Sequence, residues 1–315
     1  MKKTIFPVFG IFILLLAFSG NVLAQTDTTS NNLDELLNEV DKSSTEKEYT
    51  SATFKSTRLI VGQSIENVGV GVLDFRISHR FNAIDKGIKD LFGLDGATIR
   101  LGLDYGLTKR VTIGLGRSTY DKEIDGYVKY KVLQQTTDNS MPFTLSYVGN
   151  IMLQTMNVNI PVGYDYQFSN RLCYSNQLLL AHKFSKSFSL QLMPTHIHYN
   201  LVDKRAEKND IIALGIGNRL KLSNRVSLNA EYYYVLDNLK LQGTRNALSL
   251  GFDIETGGHV FQLYFTNATG MTDRAFIGKT TGQWNKNGIR FGFNISRVFT
   301  VKKPKGFENS RNKIY

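Results

Sequence analysis

The chain has 315 residues, 42% hydrophobic and 21% charged, with 27 Gly, 5 Pro, 20 Phe and 15 Tyr. Aromatics in that number exclude a disordered chain, and so little Gly and Pro excludes a collagen-like fibre. A single cysteine, Cys173, excludes an internal disulfide framework and a Cys-cluster zinc site.

Residues 1–24 read as a signal peptide. Lys2 and Lys3 precede the apolar run Ile5–Phe18, and Val22-Leu23-Ala24 supplies a cleavage site. Gln25 rather than Cys follows the cut, so no lipid anchor is expected. Beyond this leader no stretch of 18 apolar residues marks a transmembrane helix. Residues 25–50 carry seven acids against two lysines, a net −5, and are expected to form an acidic, flexible periplasmic arm. With +2 on the leader and +11 on the whole chain, residues 51–315 hold +14. On an exported chain, that surplus favours lipopolysaccharide or anionic solutes over nucleic acid.

From Thr53 onward the pattern has period two. Leu73, Phe75 and Ile77 oppose Asp74, Arg76 and Ser78; Val128, Tyr130 and Val132 oppose Tyr127, Lys129 and Lys131. The same alternation returns in Leu248–Glu255 and Ile289–Ser296. Each strand therefore has one apolar and one polar face. Strands are expected near 71–80, 97–105, 110–118, 124–134, 142–154, 170–184, 187–200, 210–221, 225–236, 246–255, 258–267 and 287–300. Short connectors (Gly106–Lys109, Ser185–Lys186, Ser223–Asn224, Thr256–Gly258) alternate with long ones (Phe81–Gly96, Met156–Asn170, Val202–Asn209, Asp237–Arg245, Asn267–Lys286). Twelve strands with alternating turns and loops predict an all-β fold: an antiparallel, up-and-down transmembrane β-barrel in the outer membrane over residues 71–300. Residues 51–70 would be periplasmic or inserted in the lumen, and 301–315 form a basic tail. In Phe188–Tyr199 the apolar set moves from even to odd positions at Pro194, which predicts a β-bulge there.

The runs ATFKSTRLIVGQSIE (52–66), VLDFRISHRF (72–81), ATIRLGLDYGLT (97–108), SLQLMPTHIHYN (189–200), GGHVFQLYFTNATGMTDRAFIG (257–278) and GIRFGFNISRVFT (288–300) resemble a family of Gram-negative outer-membrane β-barrels classed as a domain of unknown function. The resemblance implies the barrel and its location, and no activity.

The inward charges expected from the alternation are Asp74, Arg76, Arg100, Asp104, Asp125, Lys129, Lys131, Arg219, Glu231, Asp253, Glu255 and Arg290, six acids and six bases. A balanced set predicts pairing across a narrow lumen rather than the one-sided ring of a selective open pore. His196 and His198 share a face, placed in the lumen by the expected bulge, and would be half of a metal site if His79 or His259 joined them. A polar lining is the simpler reading. Adjacent Ser78 and His79 point to opposite faces and make no catalytic pair. Gly278-Lys279-Thr280 lacks the leading glycine of a phosphate loop. No enzyme and no cofactor is expected. The expected partners are outer-membrane lipid including lipopolysaccharide, the barrel-assembly machinery and a periplasmic protein. Two functions stand side by side: a narrow or gated channel for small solutes, plugged by residues 51–66, and a non-transport barrel that docks a partner through its outer loops or acidic arm.

Overall fold

A computed structural model describes residues 47–156, 165–286 and 288–303. The expected signal peptide, nearly all of the acidic arm, and the tail beyond Lys303 lie outside the described residues.

Twelve antiparallel strands close into one barrel: β1 (Val72–Ala83), β2 (Ala97–Gly106), β3 (Val111–Ser118), β4 (Glu123–Leu133), β5 (Thr144–Gln154), β6 (Leu172–Lys183), β7 (Phe188–Tyr199), β8 (Asp210–Lys221), β9 (Val226–Val235), β10 (Ala247–Thr256), β11 (His259–Thr266) and β12 (Arg290–Thr300). Each pairs with its sequence neighbours, and β1 seals against β12 from Val72–Thr300 to Ala83–Arg290. Closure leaves no strand edge, so backbone groups are satisfied within the wall. Among the described residues no helix is long and apolar enough to cross a membrane. The wall does so instead: Leu101, Leu103, Leu115, Val128, Ile151, Leu178, Ile212, Leu214, Ile216, Leu250, Phe252 and Phe265 all face outward and exposed.

The start of β1 and the end of β12 lie at one end, together with the short turns. Three of these turns share one construction. In Leu107–Val111, Phe184–Phe188 and Leu222–Val226, the backbone N–H groups of the first two residues donate to the carbonyl of the last, at 3.0–3.2 Å. The hydroxyl in the second position (Thr108, Ser185, Ser223) accepts the N–H groups two and three residues on, at 3.0–3.3 Å. A side-chain oxygen thus satisfies donors that a four-residue turn leaves free. At the opposite end the connectors are long, apart from the four residues between β3 and β4.

The expected bulge at Pro194 is absent. β7 keeps one register against β8, from Phe188–Leu220 to His198–Asp210. Inward residues are the odd ones throughout: Ser189, Gln191, Met193, Thr195, Ile197 and Tyr199. The even residues Phe188, Leu190 and Leu192 meet lipid, and His196 and His198 lie where the outer face leaves the apolar band. The apparent change of phase records two environments along one strand, not an extra residue.

Inward glycines make room rather than bend the wall. A Cβ at Gly114 would collide with the Tyr127 ring and the Asp104 carboxylate; one at Gly215 would meet Tyr233 and Met193. A Cβ at outward Gly126 would press on the flexible tip of Leu115 at 3.2 Å and otherwise make ordinary contacts with the Gly114 carbonyl and Ile151 at 3.8 and 3.9 Å. Gly114→Ala is therefore expected to destabilise the barrel by about 1–3 kcal/mol through overpacking. The same change at Gly126 is expected to stay within about 0.5 kcal/mol. Urea midpoints of the two variants in lipid vesicles give the comparison, and equal midpoints would contradict it.

Candidate functional site: a doubly occupied lumen

The segment before β1 lies inside the barrel. Leu59 N–H donates to the Gly62 carbonyl at 2.8 Å and Ser64 N–H to the Thr57 carbonyl at 3.0 Å, folding residues 57–64 into a tight hairpin. Leu59, Ile60, Val61 and Ile65 are buried against the inner wall, and Leu59 fills the space left by Gly217. At the hairpin tip three successive amides converge on one carboxylate. Glu231 on β9 accepts Val61 N–H at 2.9 Å, Gly62 N–H at 3.0 Å and Ile60 N–H at 3.4 Å. Successive amides form a cradle for an anion, and a buried carboxylate requires such donors.

The wall grips the remainder of the plug through its backbone. Lys129 Nζ donates to the carbonyls of Glu66 (2.7 Å), Ser64 (3.0 Å) and Thr57 (3.4 Å). Arg219 donates to Ala52 and Thr53, and Lys183 to Ser51. The amides of Gln191, Gln262 and Asn294 reach the carbonyls of Gln63 (2.8 Å), Leu59 (2.7 Å) and Ile60 (2.9 Å). Strands β4, β6, β7, β8, β9, β11 and β12 all contribute. Below the plug the chain turns into β1 at Gly71, whose φ of +73° and contact with Lys302 leave no room for a side chain.

A second segment fills the other half. In the loop between β11 and β12, residues 271–278 are buried in the lumen. Arg274 donates to Asp121 (2.8 Å), Glu123 (2.9 Å) and Gln154 (3.2 Å). Burial works against its charge, but Glu123 and Asp121 outweigh that and raise its pKa above the ordinary guanidinium value. Asp273 accepts Ser175 Oγ–H at 2.6 Å and an Asn150 amide hydrogen at 3.3 Å. Phe276 packs edge-on to Tyr233, and Tyr199 donates to the Arg274 carbonyl at 2.8 Å. Between the two segments lies a cavity of about 10 Å³.

Of the twelve expected inward charges, ten are buried on the inner face: Asp74, Arg76, Arg100, Asp104, Asp125, Lys129, Lys131, Arg219, Glu231 and Asp253. Glu255 sits exposed at the near rim, paired with Lys55 of the plug. Arg290 is half-buried at the far rim and donates to the carbonyls of Gly288 and Asn267. The expected pairing across a narrow lumen is replaced by two other arrangements. Asp74–Arg76 (3.4 Å) and Arg100–Asp125 pair along the wall, the latter over Gly116 of the intervening strand. Lys129, Arg219 and Glu231 instead bind plug backbone, because a segment of the chain lies in the lumen beside them.

His196 and His198 do not face the lumen. With β7 unbulged they lie on the outer surface near the far rim, where both rings contact Asp210 Oδ1 at 2.8 Å. His79 stacks on Phe293 on the outer face of β1, away from them. Among the described residues no group of three or more His, Cys, Asp or Glu is arranged to hold a metal. Sequence reasoning missed Arg80 and Glu123, although Arg80 shares the parity of Arg76 and Glu123 that of Asp125. Nothing in the alternation pointed to Arg58 or Asp273, which are on inserted segments.

An even number of strands, a lipid-facing apolar outside and a polar, occupied inside define an outer-membrane β-barrel. Residues 54–299 match the family described as membrane bound beta barrel domain (DUF5777), and the chain belongs to that family. Among solved structures it is similar to the NanC porin, at 9% identity and a TM-score of 0.45, covering 72% of this chain and 98% of that one. It is also similar to the COG4313 outer membrane channel from Pseudomonas putida F1, at 15% identity and a TM-score of 0.48, covering 75% and 98%. The KdgM porin gives 9% identity and a TM-score of 0.43, covering 72% and 99%. No curated protein matches the chain.

Removing the Glu231 carboxylate leaves three buried plug amides without their acceptor, each costing about 1–3 kcal/mol. Glu231→Ala is expected to loosen the tip. In a Cys173→Ser background, a Val61→Cys reporter should then react with a soluble maleimide at least about 10-fold faster than with Glu231 present. An unchanged rate would show that the tip is held by its apolar contacts alone.

Proposed function

We propose that this barrel is a gated channel for small solutes, opened when residues 51–68, a displaceable plug, and the loop segment 271–278 leave the lumen. The observation that carries the reading is how the plug is held. Lys129, Arg219, Glu231, Gln191, Gln262 and Asn294 all bind its main chain, through hydrogen bonds to Ala52, Thr53, Thr57, Leu59, Ile60, Val61, Gly62, Gln63, Ser64 and Glu66. Such bonds exchange with water at a net cost of about 0.5–1.5 kcal/mol each. A lumen needing only a rigid filling would be served by apolar side chains, as in small barrels. Here the wall keeps polar groups that water or a polar solute can satisfy when the plug leaves.

A second reading, a non-transport barrel that docks a partner, is supported by the tightness of the filling: buried segments occupy both halves of the lumen, with a cavity of about 10 Å³ between them. A cross-link separates the two. A Cβ placed at Gly217 falls 3.4 Å from Leu59 Cγ, the atom whose place the sulfur of a cysteine at 59 would take, so the two sulfurs can come within bonding reach. The full-length Leu59→Cys/Gly217→Cys protein, again with Cys173→Ser, is expected to be silent in a planar bilayer when oxidised. On reduction it should conduct in discrete steps. Silence in both states, with Glu231→Ala silent as well, would overturn the channel reading in favour of the partner-binding barrel.

A further inference from the structure

The small cavity between plug tip and far loop is lined by four arginines and no acidic residue. Arg76 and Arg80 reach it from β1, Arg100 from β2 and Arg58 from the plug, with Ser78, Tyr264 and Asn294 among the remaining lining. All four arginines are at most 7% exposed. Two have carboxylate partners: Arg76 meets Asp74, and Arg100 meets Asp125. Arg58 and Arg80 have none among the described residues. Arg58 lies over the Tyr127 ring, 5.1 Å from its centre, with one long contact to the Val61 carbonyl at 3.5 Å. Arg80 lies over the Tyr264 ring at 5.4 Å and donates to the carbonyls of Gly270 (2.6 Å) and Ala268 (3.2 Å). The buried Nε groups of Arg76 and Arg80 find no acceptor.

Arginine keeps its charge in proteins, so neutralisation by proton loss is not open to Arg58 and Arg80. Aromatic faces and carbonyl dipoles meet part of the cost of burying two such cations. The orphaned Nε donors show that the demand is not fully met. The centre of a water-sized sphere has about 10 Å³ to move in here, so the cavity has room for one monoatomic ion and none for a larger solute.

We propose that this arginine cavity is an anion-binding site: closed, it holds one small anion such as a halide, and with the plug displaced the same arginines select small anions for passage. The second half rests on the channel reading; the first does not. The wall charges fit this division of labour. With Arg58 withdrawn on the plug, Arg76 and Arg100 stay paired with Asp74 and Asp125, Arg80 is left as a wall cation with no carboxylate partner among the described residues, and Lys129 on β4 loses its plug carbonyls and becomes free to meet a solute.

Two measurements on the full chain test the two halves. Crystals of the wild-type protein soaked in sodium bromide are expected to show an anomalous peak among Arg58, Arg76, Arg80 and Arg100. Its absence there would overturn the binding site. In the reduced Leu59→Cys/Gly217→Cys protein under a potassium chloride gradient, chloride is expected to permeate at least about 3-fold better than potassium, as for pores lined with Arg or Lys. Arg80→Gln should bring that ratio towards one, and Arg80→Lys should largely keep it. Arg58→Gln, on the plug and outside the wall, serves in the bromide test if Arg80→Gln fails to fold, and should abolish the peak. A conducting pore that prefers potassium, or a ratio indifferent to Arg80→Gln, overturns selection by these arginines while leaving the channel standing. A pore that never conducts removes the channel reading and selection with it, and the bromide result then stands or falls alone.

Discussion

A barrel whose outside meets lipid must turn its polar residues inward, and inside they need partners. In this protein those partners are largely a segment of its own chain. Glu231 is satisfied by amides at the tip of the hairpin, Lys129 by carbonyls along it, and Arg219 by carbonyls where the segment comes in from the near end. The wall alone would leave these charges exposed to an aqueous pore, and the segment alone, an irregular hairpin, has little to hold it folded. Each supplies the hydrogen-bonding groups the other lacks. The far half of the lumen follows the same logic with signs reversed: a cation on the inserted loop, Arg274, meets the wall carboxylate Glu123.

The wall was legible in the sequence because lipid imposes one rule on every strand. Leu101, Leu103, Val128, Leu250 and Phe252 all had to be apolar, so period two survives wherever a strand crosses. The inner face obeys no single rule. Its near half meets a plug backbone and carries Arg219, Gln191 and Ser189; its far half meets Phe276 and Ile277 and carries Ile197, Tyr199 and Ile211. A strand such as β7 therefore changes the polarity of its inner face halfway along, which is how Pro194 came to look like a bulge and His196 and His198 like lumen residues. Inside and outside cannot be told apart from polarity where both faces are apolar, as in Ile211–Ile216 of β8.

The inserted segments were legible only in part. The weak alternation of residues 51–66 marked them as separate from the strands, and lumen insertion was one of two expected placements. Their contacts were not visible, because a side chain that binds main-chain carbonyls leaves no complementary residue type to find. Glu231 faces three amides that belong to Ile60, Val61 and Gly62, residues with no chemistry of their own to advertise. Near-end turns show the converse: the hydroxyls of Thr108, Ser185 and Ser223 recur at the same place in each, a local signal present in the sequence all along.

The connection at Gly71 has a consequence for whatever displaces the plug. Only residues 69–71 separate the buried segment from the first residue of β1, and Gly71 is fastened by hydrogen bonds to Gly106, Val301 and Lys302. A displaced plug cannot diffuse away. It remains a tethered ligand at the mouth of its own site, at an effective concentration on the order of millimolar for so short a linker. Rebinding is then unimolecular and independent of how much protein the membrane holds. A soluble competitor for the same wall groups would have to approach that concentration merely to share the lumen equally.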